Sequence, residues 1–399
     1  MTDRRTLVAL LALVCLALAG CGGTKLIRRS GLTKTVDQQT PSSGALSTPV
    51  ATKNTTRIPG ADPIIAAALV SLAVFPSAAP GTHPTAVALT SSTDWQAALA
   101  ASVLMGGPLH APLLFSVGAT MPPTSEAALT KLAPSGAGAA NGAQVVRIGD
   151  VPKPAGDRLA SISGNDPYTL AAGIDRFVSA VQGQTSRDVI IASGTDPAYA
   201  MPAAGYAAES GDPILFVSKS GVPSATRQAL LSHQSPHIYV LGPPNVIPNA
   251  TVTALGKYGT VKRVGGDSPA ANSVAFAVYR DPGCKSGQPC AHVPGSFGWA
   301  MRSPGHGYVL LNATRPLDAA AAAPLSGSGD FGPALLVDDP TSLPKSVLSF
   351  FLDYATPGYT EEGPTAAVYN HGWVIGNTSA VSVGVQAELD SLLEPMPVK

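Results

Sequence analysis

Short runs of unbroken hydrophobic residues alternate along this chain with longer, alanine-rich stretches, and the alternation comes round three times. The first run of each round is Ala86–Leu89, Val189–Ala192 or Tyr308–Leu311; the second is Pro112–Phe115, Pro213–Phe216 or Pro333–Leu336; the third is Val145–Gly149, Ile238–Gly242 or Gly372–Gly376. Runs this short and apolar on both faces predict strands of parallel sheets covered by helices on either side. Between the first and second runs, Thr93-Asp94, Thr195-Asp196 and Thr314-Arg315 are turns suited to start a helix. From Asp94, Asp196 and Arg315 to the proline of the second run the spacing is 18, 17 and 18 residues. After that run, Pro123, Pro223 and Pro344 fit a helical first turn, where the missing N–H costs nothing. Right-handed crossovers then make each round a small doubly wound α/β unit, Rossmann-like or flavodoxin-like in pattern.

A recurring motif opens each round. It reads Arg57-Ile58-Pro59-Gly60-Ala61-Asp62, Ser161-Ile162-Ser163-Gly164-Asn165-Asp166 and Arg263-Val264-Gly265-Gly266-Asp267, with the aspartates 104 and 101 positions apart. That period is far longer than a solenoid repeat and sets three tandem units. They are expected at residues 57–153, 154–261 and 262–399, the third carrying an insert at 280–307.

The first twenty residues have the plan of an export signal: Arg4 and Arg5, then an apolar stretch from Leu7 to Ala19 too short to span a bilayer. Leu18-Ala19-Gly20-Cys21 resembles the bacterial lipobox, which implies cleavage before Cys21, lipid such as palmitate on its sulfur, and a body held at the outer face of the cell membrane. Residues 21–56, rich in Ser, Thr, Gln and Pro, are expected to be a flexible tether. Two cysteines remain in the body, Cys284 and Cys290; they suit a small disulfide in an oxidising compartment, with free thiols the alternative.

The chain has 25 basic and 25 acidic residues, so no electrostatic footprint for nucleic acid is present. No G-x-S-x-G, H-E-x-x-H or Walker loop occurs. Gly327-Ser328-Gly329-Asp330-Phe331-Gly332 matches G-x-G-x-x-G in letters, but it precedes a strand where a phosphate cradle follows one. Pro236 interrupts the spacing of His233 and His237, so no metal or cofactor is expected. Trp95, Trp299 and Trp373 suit core packing better than sugar stacking. The reading is a binding protein without catalytic machinery.

The ordered combination of R-I-x-G-x-D opening, strand and Ala-rich helix, proline-led I-L-L strand and glycine-ended strand resembles the cell wall-binding repeat type 2 family of exported Gram-positive proteins. The second unit carries it best, in Ala192-Ser193-Gly194-Thr195-Asp196, Asp212-Pro213-Ile214-Leu215, Pro223-Ser224-Ala225-Thr226 and Tyr239-Val240-Leu241-Gly242 with Val246. The resemblance implies a pseudo-threefold assembly of the three units and non-covalent attachment to an anionic cell-wall polymer or a peptidoglycan-associated glycan. The family's glycine pair after the third strand is a single glycine here, at Gly149, Gly242 and Gly376. Its aspartate before the Ala-rich helix survives as Asp318, with Gln96 and Tyr199 in the matching places. Candidate polymer contacts are Arg57, Lys262 and Arg263 in the opening motifs, and Leu113, Leu114, Ile214, Leu215, Leu335 and Leu336 in the I-L-L strands. Two other classes fit an exported lipoprotein: a solute-binding protein, and a scaffold or regulatory partner of a wall hydrolase.

Overall fold

The computed structural model describes residues 47–282, 290, 296–328, 331–360, 363 and 367–397. Strands β1 (Val50–Ala51) and β2 (Thr55–Ile58) lead into helix α1 (Pro63–Val74). Then come β3 (Val87–Ser91), α2 (Trp95–Ala101), β4 (Leu113–Ser116), α3 (Pro123–Leu132), β5 (Val145–Ile148), β6 (Leu159–Ile162) and α4 (Pro167–Gln182). The next round is β7 (Asp188–Ser193), α5 (Pro197–Ala200), α6 (Pro202–Ser210), β8 (Ile214–Val217), α7 (Ser224–Ser232), β9 (His237–Leu241), α8 (Asn249–Leu255), β10 (Thr260–Val264) and α9 (Pro269–Val278). The last is β11 (Gly307–Asn312), α10 (Pro316–Ser326), β12 (Phe331–Val337), α11 (Lys345–Phe350), β13 (Gly358–Tyr359), β14 (His371–Ile375), α12 (Val383–Leu392) and β15 (Met396–Pro397). All nine expected strands are present within two residues of their predicted ends.

Three parallel sheets share one topology. Their orders are β4-β3-β5-β6, β8-β7-β9-β10 and β12-β11-β14-β2, with β1 antiparallel outside β2. The fourth strand of every sheet is an opening motif: β6 pairs with β5, β10 with β9 and β2 with β14. The boundaries expected at 57, 154 and 262 therefore cut a motif or separate it from its sheet. Each motif completes the sheet of the preceding segment, and the first completes the sheet of the last. Periodicity locates a recurring motif, but the strand it bonds to is a long-range choice. Within the stretch expected as a tether at 21–56, Val50–Ala51 and Thr55–Thr56 are strand, and residues 21–46 lie outside the described residues.

The helix after each motif crosses to the next sheet. Helix α1 packs on β4 and α3, α4 on β8 and α7, and α9 on β12 and α11. The strands receiving them are edge strands, whose free backbone groups need covering. Ser71 Oγ on α1 donates to the Leu113 carbonyl (3.2 Å), and Ser273 Oγ on α9 accepts from the Leu336 N–H (3.1 Å). Serines on two of the crossing helices thus satisfy the edge of the sheet they reach.

The alanine-rich helices α2, α6 and α10 cover the other faces and touch one another. Ala97–Ala101, Ala203, Ala204, Ala207, Ala208 and Ala319–Ala323 are buried there, apart from Leu99 all of them methyl-sized. Backbones consequently come close: a Cβ on Gly205 would lie 2.7 Å from Ser326 Oγ, and one on Gly106 only 2.1 Å from the Ala208 carbonyl oxygen.

The motif glycine has a steric reason as well. A Cβ on Gly60 would meet the Ala66 backbone at 2.7 Å, one on Gly164 the Leu170 nitrogen at 2.7 Å, and one on Gly266 the Ala271 carbonyl carbon at 2.5 Å. Each helix folds back over its own glycine and is capped by a side-chain oxygen. Asp62 accepts from Ile65 N (2.9 Å), Asp166 from Tyr168 N and Thr169 N (2.8 and 3.0 Å), and Ser268 from Ala271 N (3.1 Å). The third motif is therefore displaced by one residue from its letter pattern, with Ser268 and not Asp267 in the capping place. Gly266→Ala is expected to cost about 2–4 kcal/mol in urea unfolding, through forced backbone displacement. Gly138→Ala, which meets nothing within 4 Å and does not hold a positive φ, is expected to cost no more than about 1 kcal/mol.

Candidate functional site

The motif arginines are both bonded into the fold, Arg57 buried and Arg263 half-buried. Arg57 is 5% exposed, and its guanidinium donates to Gln386 Oε1 (2.8 Å) and to the carbonyls of Gly376 (2.9 Å), Asn377 (3.1 Å) and Ser382 (3.3 Å). Arg263 donates to the carbonyls of Gly242 (2.5 Å) and Ile247 (2.7 Å) and to Asn249 Oδ1 (3.2 Å). Burial lowers the pKa of both guanidinium groups. Both pin the loop that leaves the third strand. The second motif has Ser161 in this place, and the missing cation is supplied by its register partner, Arg147 on β5. Arg147 bonds Ser161 Oγ (3.1 Å) and the carbonyls of Pro152 (2.8 Å) and Val151. In the other sheets that partner is Val374 or Val240. Arginine is thus kept in all three sheets, on one or other of two adjacent strands.

The other expected contacts are also occupied. Lys262 Nζ lies 2.6 Å from Asp281 Oδ1 and 5.6 Å over the Tyr239 ring. Leu113, Leu114, Ile214, Leu215, Leu335 and Leu336 are 0–1% exposed. They form the core and the floor on which α1, α4 and α9 pack, so a polymer outside the fold cannot touch them. Of the tryptophans, Trp299 is fully buried, Trp95 packs edge-on against Phe216 (5.8 Å) and Trp373 against His371 (5.2 Å). Cys290 is buried and disulfide-bonded, whereas Cys21 and Cys284 lie outside the described residues.

Open α/β sheets bind ligands at the carboxyl ends of their strands, and those ends repeat a structure that motif reading missed. In each sheet the last residue of the first strand caps the turn beyond it. The oxygens Ser91 Oγ, Ser193 Oγ and Asn312 Oδ1 accept from the backbone N–H of Thr93 (3.2 Å), Thr195 (3.2 Å) and Thr314 (2.9 Å), leaving those threonines exposed. After the second strand a tight turn closes by the bridges Val117–Thr120, Ser218–Gly221 and Asp339–Ser342. After the third, Gly149, Gly242 and Gly376 take positive φ (76°, 126° and 103°), which favours glycine. The three places of the family's aspartate hold loops by different chemistry: Gln96 Nε2 donates to the Gly194 carbonyl (3.1 Å) and Tyr199 OH to the Asp267 carbonyl (3.0 Å). Asp318 fixes Arg315 (2.5 Å), which donates to the Ala61 carbonyl (3.1 Å).

Electrostatically this edge is acidic. Asp94, Asp150, Asp166, Asp196, Asp267 and Asp339 stand on its loops, outnumbering Lys153, Lys219, Arg227, Lys345 and the engaged Arg315. Three helix N-termini that could receive an anion are already capped by Asp62, Asp94 and Asp166. Hydroxyl-rich ligands suit such an edge better than phosphate-rich ones.

At the opposite end of the second sheet lies a titratable cluster. His233 Nε2 is 3.0 Å from both Asp175 carboxylate oxygens, with both side chains buried. His237 Nδ1 is 2.9 Å from Asp188 Oδ1. Asp212 is pushed up to about 7 by burial, against the lowering effect of the Ser186 hydroxyl 2.5 Å away. These groups tie α4, α7 and the strand starts together. Among the described residues no group of three or more His, Cys, Asp or Glu side chains is placed to hold a metal ion. Nor is any helix there long and apolar enough to cross a membrane.

Fold and edge together define a protein of doubly wound α/β sheets whose strand ends present repeated exposed loops. Residues 161–252 match the family Cell wall binding domain 2 (CWB2). Two solved structures share the fold. Cwp8 from Clostridium difficile aligns with a TM-score of 0.64 at 17% identity, over 86% of this chain and 53% of its own. Cwp6 from Clostridium difficile aligns at 0.64 and 16%, over 88% and 51%. This chain spans about half the length of either, and the likeness is one of fold. No curated protein matches it.

Arg147→Val is expected to destabilise the protein by about 2–4 kcal/mol in urea unfolding, by leaving buried carbonyls unpaired. Adding Ser161→Arg, which recreates the pairing of the other two sheets, is expected to restore most of that loss. A second expectation concerns pH. Asp212 titrates higher folded than unfolded, so the folded state binds more protons between about pH 4 and 7, and its contribution to stability falls as pH rises through that range. Asp212→Asn is expected to match the parent near pH 4 and to exceed it at pH 8 by on the order of 2 kcal/mol, read from urea midpoints.

Proposed function

We propose that this protein is a cell-wall-associated surface protein that holds envelope carbohydrate non-covalently and performs no bond-making. The match of residues 161–252 to a cell wall binding domain carries this reading. The recurrence of the same strand order and the same edge turns in all three sheets supports it, because repeated weak contacts along a polymer combine into firm attachment. The acidic strand-end edge favours a glycan over an anionic polymer as the ligand. With Arg57 and Arg263 bonded to loop carbonyls and the I-L-L leucines buried, contact falls to exposed groups such as Thr93, Thr195 and Thr314. Lipid on Cys21 supplies a second attachment, to the membrane.

The experiment is sedimentation of the full chain, with Cys21→Ser to remove the lipid, in the presence of purified cell walls of the producing bacterium. The expected result is co-sedimentation that changes less than about twofold between 50 and 500 mM NaCl, since hydroxyl contacts are little screened. A steep loss with salt identifies an anionic ligand. Absence from the wall pellet at low salt overturns wall binding. Membrane association that is the same with and without Cys21→Ser overturns the lipid anchor.

A further inference from the structure

The three sheets differ in one covering element. In the second sheet the connection Gly242–Gly259 carries α8, and in the third α12 covers β14 and β2. In the first sheet, residues Gly149–Arg158 contain no helix. The loop that replaces it holds Pro152 and Pro154 and is fixed at both ends. Arg147 holds the carbonyls of Val151 and Pro152, and Gln144 Oε1 accepts from Arg158 N (3.1 Å) while its Nε2 donates to the Pro134 carbonyl (2.8 Å). Between this loop and α3 lies an open groove of about 860 Å³.

We propose that this groove is a saccharide-binding site, specific to the first sheet, for an uncharged stretch of envelope glycan; it rests on the wall-binding reading above. Its floor is aliphatic, from Met121, Leu129 and the loop prolines, and fits the C–H face of a sugar ring. Its rim holds Thr120, Glu126, Lys153 and Asp157. None of these four side chains makes a hydrogen bond or ion pair to the described residues. Two carboxylates, an ammonium and a hydroxyl therefore stand ready to accept from and donate to ring hydroxyls. One lysine against two acids leaves no positive excess for a phosphate-rich polymer. The pinned, proline-containing loop is preorganised, which lowers the ordering cost of binding.

The test uses the full chain and the neutral polysaccharide released from purified walls by mild acid and collected as the unbound fraction of an anion exchanger. Calorimetric titration is compared for the parent, Thr130→Trp, which fills the groove from the exposed side of α3, and Glu126→Gln with Asp157→Asn, which keeps its shape. The expected result is binding by the parent, at least tenfold weaker binding by Thr130→Trp, severalfold weaker binding by the double variant, and unchanged Tm for both. Equal titration of parent and Thr130→Trp, with all chains still in the wall pellet, overturns the groove and leaves wall binding standing. Thr130→Trp-sensitive binding of a wall peptide fraction in place of the glycan overturns it too. Groove-dependent titration by a parent that stays out of the wall pellet upholds the site and overturns wall binding.

Discussion

Every opening motif is committed to two sheets at once, and the fold depends on that double commitment. Its strand completes the sheet behind, while the helix that follows covers the edge strand of the sheet ahead. A parallel sheet needs both faces covered, and no single segment of this chain covers its own. The arrangement closes because β2, near the start of the described residues, pairs with β14 near their end. The glycine of the motif lets the chain turn sharply from one duty to the other, and the capping oxygen of Asp62, Asp166 or Ser268 secures the helix after the turn.

The central layer follows from the same closure. Three sheets that share covering helices bring α2, α6 and α10 into mutual contact, and only methyl-sized side chains and glycine fit there. The Ala208 carbonyl oxygen stands where a Cβ on Gly106 would lie 2.1 Å away and one on Gly327 3.0 Å away, so residues of all three rounds meet at one atom. The I-L-L strands acquire their role here too. Their leucines are the floor for crossing helices, which makes them essential to assembly and useless as direct contacts.

Three different solutions hold the strand-end loops, and together they separate structure from recognition. Arginine pins the loop after the third strand in every sheet, from the fourth strand twice and from the third once. Gln96, Tyr199 and Asp318 with Arg315 tie neighbouring loops. With three arginines bound to loop carbonyls and three helix N-termini capped by carboxylates, the exposed edge carries hydroxyls and more acids than bases. The first sheet departs further: where the corresponding connections of the other two sheets hold a helix, it has a helix-free, pinned loop beside an open groove.

Much of this was legible in the residues alone. Strand positions, the triplication, the α/β class and the family resemblance all follow from local apolar runs and spacing, because burial on both faces writes itself into four or five consecutive residues. Partnership does not. Nothing in Arg57-Ile58-Pro59-Gly60 says that its strand bonds to His371–Ile375, more than three hundred residues away. The substitution of Arg147 for the missing motif arginine is likewise visible only once β5 and β6 lie in register. Whether an arginine or a leucine faces a ligand or the core depends on which helix crosses above it. The sequence determined the elements and their recurrence; tertiary packing decided which sheet each element belongs to and which side chains remain outside to touch anything, because long-range pairing and burial are properties of the assembled chain.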